Sequence, residues 1–179
     1  MPQFRILPGL PATGPRAFAF PPRSKAEFSE GFVVQFIPED GAAWTGNFAE
    51  GPFRDLLSSV HNHPDGKRVI VQARGMVWAI DPNTPETAEL LNNWTSFVLE
   101  APEFNRVILG TLVWFMGIGP DGPQWKSKRI SWDGFQSLAI EGHYLKGESW
   151  TPIDQKWVPF RLNLLTGEHE GGAYTLGDM

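Results

Sequence analysis

Glycine and proline punctuate this chain at short, uneven intervals, and that cadence limits what it can fold into. Nineteen glycines and sixteen prolines fall between short apolar runs in 179 residues. Proline removes a backbone donor and glycine weakens a helix interior, so the pattern works against long helices and suits many short strands joined by tight turns. Four Asp-Gly pairs, beginning at Asp40, Asp65, Asp121 and Asp133, supply turn signals at unequal spacings, which rules out a repeat register. The expected fold is mostly β: antiparallel meanders in two packed sheets or an open half-propeller, with at most one short helix.

The individual runs support this. Phe32 to Ile37 alternates, Asp40-Gly41 offers a turn, and Ala42 to Phe48 reads as a partner strand. Leu56 to His61 is a weaker run. Pro64-Asp65-Gly66 turns the chain into Val69, Val71 and Ala73, and Met76, Trp78 and Ile80 follow after Gly75. Thr84-Pro85-Glu86 fits the start of a short helix, with Leu90, Leu91 and Trp94 on its buried face. Val107 to Met116 is apolar on both faces and reads as a central strand or strand pair, with Gly110 as the kink or divider. Alternation resumes at Leu138, Tyr144 and Val158, with turns at Gly142-His143, Asp154-Gln155 and Thr166-Gly167. Ser59 to Asp81 and Leu138 to Gly171 both have the cadence of a propeller blade. Residues 1–30 are proline-rich and read as an extended arm, and residues 31–179 as one β domain.

Composition excludes several classes. The net charge is −5, and the densest basic run is only Lys126-Ser127-Lys128-Arg129, so neither nucleic acid nor an anionic membrane is an expected partner. There is no cysteine, which removes disulfides, thiolate catalysis and Cys-ligated metal, and fits a reducing cytoplasm. Met1 to Pro11 holds three prolines and no apolar h-region of a signal peptide. Eight tryptophans are the compositional outlier and read first as core filler, second as stacking faces.

Four motifs invite a chemical reading. His61 and His63, at i and i+2 on a strand, would point the same way and share a metal ion. His61-Asn62-His63-Pro64-Asp65-Gly66 resembles the His-x-His-Pro core of JAMM metalloproteases, and also the His-x-His-x-Asp of metallo-β-lactamase-like hydrolases. The first family's downstream Ser and Asp are missing from Lys67 to Gly75, and Gly66 stands where the second needs a histidine. No metal or cofactor is therefore expected. Gly117-Ile118-Gly119-Pro120-Asp121-Gly122 matches a dinucleotide fingerprint, but its prolines and Asp-Gly turn leave no helix N-terminus to hold pyrophosphate. Arg129-Ile130-Ser131-Trp132-Asp133-Gly134-Phe135 is dense in side chains that recognise ligands, and Arg129, Trp132 and Asp133 are the candidate binding residues. Asp81, Asp133, Glu148, Asp154 and Glu168 are the carboxylates from which an acid–base pair could be drawn.

The string Lys128 to Phe135 resembles a motif of small bacterial all-β proteins sharing Arg-Ile-Ser-Trp-Asp-Gly. Trp44 to Phe48, His63 to Gly66 and the ending Trp157 to Tyr174 fit the same pattern. The resemblance implies a blade-type turn at Asp65-Gly66 and brings no catalytic residue. The functional expectation is a non-enzymatic binding or protein-interaction module, of immunity or accessory type, whose partner is another protein or a small ligand. Exposed sheet edges offer a route to a homodimer. A Trp-rich glycan-binding protein or glycoside hydrolase is the alternative, and a His-x-His metal hydrolase a further one.

Overall fold

The computed structural model describes residues 2–22, 29–39, 41–53 and 55–174. The protein is mostly β, with sixteen strands in four four-stranded sheets and two single 3₁₀ turns among the described residues. The chain divides into two compact units, residues 1–94 and 95–179. Each unit has its own apolar core.

In the first unit, β1 (Gln3–Leu7), β2 (Phe18–Phe20), β3 (Phe32–Ile37) and β4 (Trp44–Phe48) form a sheet in the order β1-β3-β4-β2. The β2–β4 pair is parallel and the other two are antiparallel. Residues 1–30 thus contribute two strands, not only an arm on the surface. The cause is burial: Phe20 is 5% exposed, stacks on Phe48 at 4.8 Å and packs with Phe36 and Trp78 in the core. Apolar anchors of that size outweigh the turn preference of the surrounding prolines. Asp40, half of the expected Asp40-Gly41 turn, lies outside the described residues.

The second sheet is a consecutive antiparallel meander of β5 (Ser59–Asn62), β6 (Val69–Ala73), β7 (Met76–Ile80) and β8 (Glu89–Asn92). Arg74 and Gly75 join β6 to β7 with φ of 44° and 99°. Two positive φ values in a two-residue loop are the hairpin geometry that matches strand twist. Inward faces of both sheets share one core, where Val34, Phe36 and Phe48 meet Val69, Val71 and Ile80. The helix expected from Thr84 is only a 3₁₀ turn, Pro85–Thr87, and the Thr84 side chain makes no capping bond to it. Leu90 pairs across the strands with Trp78 instead, and Leu90 and Trp94 are exposed, not buried on a helix face. The open edge of β7 captured this segment as a strand.

The second unit holds two more consecutive meanders. One is β9 (Phe97–Ala101), β10 (Arg106–Gly110), β11 (Phe115–Gly119) and β12 (Gly122–Lys126). The other is β13 (Phe135–Glu141), β14 (Tyr144–Thr151), β15 (Lys156–Asn163) and β16 (His169–Gly171). The apolar run from Val107 to Met116 resolves into the two inner strands β10 and β11, and Gly110 closes the first of them. A Cβ at Gly110 would overlap the Phe97 ring, so no other residue fits there without displacing it. Ile108 and Phe115 share a core with Ile130, Leu145, Phe160 and Leu162 from the second meander. Among the described residues, no helix is long and apolar enough to cross a membrane.

Candidate functional site

The His61–Gly66 segment is a turn built around Asp65. Its Oδ1 accepts the backbone N–H groups of Lys67 (2.8 Å) and Arg68 (2.9 Å), and its Oδ2 accepts Arg68 Nε (2.6 Å). Burial alone would raise the Asp65 pKa, but these donors and nearby His63 outweigh it and hold it at about 2. His63 is 2% exposed, with Nδ1 at 3.2 Å from both Asp65 N and Asp65 Oδ1. Its pKa is lowered because burial disfavours the imidazolium more than the Asp65 carboxylate favours it. His61 Nε2 shares a hydrogen bond of 2.9 Å with Ser59 Oγ. The two imidazoles therefore face different partners. Among the described residues no three His, Cys, Asp or Glu side chains are grouped to hold a metal ion.

The Gly117–Gly122 string is a hairpin. Gly119 pairs directly with Gly122 across a Pro120-Asp121 turn, which offers no helix N-terminus. Three of the five carboxylates considered for acid–base work have local partners of their own. Asp154 pairs with Lys156 at 2.8 Å, Glu148 accepts from Gln136 Nε2 at 2.8 Å, and Asp81 accepts Asn83 N at 2.8 Å.

The Arg129–Phe135 string ties the second unit together. Ser131 is fully buried; its Oγ donates to Gly134 O (2.6 Å) and accepts Trp150 N (3.0 Å). Trp132 Nε1 donates to Ala173 O at 3.1 Å. The Arg129 guanidinium sits 5.0 Å from the Trp132 ring centroid and 4.8 Å from that of Tyr174, and it donates to Ser131 O and Trp132 O. Arg129 and Trp132 are thus brought together, while Asp133, on the same bend as Trp132, is exposed and has no side-chain partner among the described residues.

Arg129 also lines a groove of about 980 Å³ on the second unit, and there the structure gathers residues that sequence reasoning missed. Lys126 and Lys128 come from the end of β12 and the segment after it. Arg161 comes from β15, His169 from β16, and Glu168 from the turn between them. Arg161 faces outward because its neighbours Phe160 and Leu162 point into the core. It pairs across the strands with Glu170, donating from Nη2 (2.7 Å) and Nε (3.0 Å), and lies 5.1 Å from the Tyr144 ring centroid. Lys126 Nζ sits 4.0 Å over the Trp114 ring. The His169 pKa is lowered, first by burial and then by the positive charge of Lys128. Lys128 itself has no side-chain partner among the described residues. Gly167 closes the floor at φ of 74°, with Trp125 packed beneath it and donating from Nε1 to Leu164 O at 3.0 Å.

Most tryptophans are accounted for by packing. Trp78 is buried, Trp44, Trp125 and Trp132 donate to backbone carbonyls, and Trp150 and Trp157 pair at 5.3 Å. Trp94 is the exposed one, at 57%, edge-on to Phe53.

The chain matches no protein-family model, no curated protein and no solved structure.

Proposed function

We propose that the protein is a binding module and that the groove on its second unit is the ligand site. The observation that carries this reading is a concentration of positive charge against the unit's balance. The unit has ten Asp and Glu against seven Lys and Arg, yet four of those seven cations line one groove. Three of them lie over aromatic rings, which fixes their direction before any ligand arrives. Preorganised groups lose less entropy on binding. A module of immunity or accessory type would use such a face to receive an acidic group of its partner. The glycan platform has weaker support, because guanidinium groups already cover the Tyr144 and Tyr174 rings in the groove.

The test is a ligand panel followed by calorimetry, spanning acidic peptides, polycarboxylates, phosphates and neutral oligosaccharides. Binding to the native chain should fall at least tenfold in the Lys126→Ala, Lys128→Ala double variant. A panel ligand bound equally well by that variant would place the site elsewhere and end the reading.

A further inference from the structure

We infer that the groove takes a compact oligoanion, a molecule presenting several phosphate or carboxylate oxygens within one small volume. This rests on the groove being the ligand site and names what occupies it.

Charge accounting leads there. Of the four groove cations, Arg161 is already neutralised by Glu170. Lys126, Lys128 and Arg129 have no carboxylate partner among the described residues, and Glu168 is the one groove carboxylate without a cation. Counted over the described residues, the groove therefore carries two positive charges in excess. Holding like charges together costs free energy that an arriving anion returns. The Arg129 guanidinium is held by two backbone carbonyls and two rings, so engaging an anion there would cost little further ordering. Neighbouring Asn163 and Thr166 add neutral polar groups to the same wall.

Size and charge also decide against a long polyanion. Small-ligand sites run from about 300 to about 1,000 Å³, and a groove of about 980 Å³ sits at the upper end of that range. Nucleic-acid binding relies on roughly 6–10 phosphate contacts. Three uncompensated cations on a unit with an acidic surplus would meet repulsion along any duplex that extended past the groove.

The probes are inorganic tripolyphosphate and citrate, titrated calorimetrically into the full chain at low salt, with a short single-stranded DNA and a neutral oligosaccharide as competing arms. One-to-one saturable binding of tripolyphosphate, citrate or both is expected, and which of them binds separates a phosphate from a carboxylate ligand. Raising salt from about 50 to about 200 mM should weaken binding severalfold, because released counterions carry part of the affinity. The Lys126→Ala, Lys128→Ala variant should lose at least tenfold in affinity while its unliganded melting temperature stays within a degree or two. Absence of saturable binding by both probes overturns the inference, as does equal affinity in the variant. The two readings fail differently. A neutral sugar, or DNA, that binds and loses affinity in the variant keeps the groove and sinks the compact anion. A ligand indifferent to the variant sinks both.

Discussion

The protein concentrates charge at two places, and they are arranged in opposite ways. Around Asp65 in the first unit the carboxylate is answered locally: it takes two backbone N–H groups and the Arg68 side chain, and burial lowers the pKa of His63 beside it. In the groove of the second unit, Lys126 and Lys128 have no carboxylate partner among the described residues, and the His169 pKa is lowered by burial and by Lys128. Local compensation marks the first as a structural device, since removing one partner strands the others. Uncompensated charge is the property on which the proposed ligand site of the second unit rests. Stability should therefore be sensitive at Asp65 and insensitive at Lys128, and binding should show the reverse.

The largest expected effect is on stability. Asp65→Ala removes three charge-assisted or backbone hydrogen bonds from a carboxylate with 18% side-chain exposure. Thermal or urea unfolding should show a loss of about 2–3 kcal/mol. A loss within about 0.5 kcal/mol would mean that the turn is not held by this carboxylate, and the contrast with the groove would collapse. The next effect is on binding: Lys128→Ala alone should weaken tripolyphosphate or citrate severalfold, with unfolding unchanged within about 0.5 kcal/mol, as expected of an exposed residue with no side-chain partner among the described residues. Equal loss of stability at Lys128 would give the groove the same structural character as the turn.

How much of this could be read from residue order differs between the two places for a physical reason. The turn at Pro64-Asp65-Gly66 is local, and its ingredients lie within four residues, so it was legible as a turn. The same holds for β3, β6, β7, β14 and β15, whose alternation shows in the sequence directly. β1 and β2 were not legible, because nearby prolines hide the fact that Phe20 is captured by a core built from residues far along the chain. The segment after Thr84 carried helix-start residues, but the open edge of β7 decided its fate. The groove required knowing that β15 and β16 pair in the register Arg161↔Glu170 and that the 126–129 segment lies beside them. Lys126-Ser127-Lys128-Arg129 was visible as the densest basic run, yet only topology brings Arg161 and His169 to it.

Acid should act on both places in one window and on the Asp65 turn again at lower pH. His63 has a folded pKa below its ordinary value, so the unfolded chain binds a proton first as pH falls. Its contribution is complete above about pH 6.5 and is lost progressively below that, with a slope of at most about 1.4 kcal/mol per pH unit. His169 acts in the same window with the same sign. The Asp65 contribution survives until lower pH and disappears as pH falls from about 4 to about 2, where the folded carboxylate takes its proton. Urea midpoints measured from pH 8 to pH 5 should decline, and His63→Gln should flatten that decline more than it changes the groove. An oligoanion in the proposed site would oppose that shift, because a His169 imidazolium would share the groove with Lys126, Lys128, Arg129 and Arg161, against Glu168 and Glu170. The probes lose charge themselves over this range, so the readout is the difference between chains: the native chain should gain affinity relative to His169→Gln as pH drops from 8 to 6. Parallel pH profiles for the two chains would detach His169 from the site.

The smallest expected effect falls on a residue that sequence reasoning placed in the binding site. Asp133 sits beside Trp132 in the chain, but Trp132 turns its indole N–H to Ala173 and packs against Tyr174 at 5.2 Å, while Asp133 is exposed on the bend. The bend itself is held by Ser131 Oγ bonding Gly134 O and by Gly134 N donating to Leu112 O at 2.7 Å, neither of which involves the Asp133 side chain. Asp133→Asn keeps the shape and removes the charge. It should change stability by less than about 0.5 kcal/mol and leave oligoanion affinity within twofold. Trp132→Ala, by contrast, should loosen Arg129 and weaken binding together with stability, since the ring both supports the guanidinium and anchors the chain end through Ala173. If Asp133→Asn instead altered affinity tenfold while Trp132→Ala did not, ligand recognition would belong to the exposed bend, and the groove cations would be the surface charges.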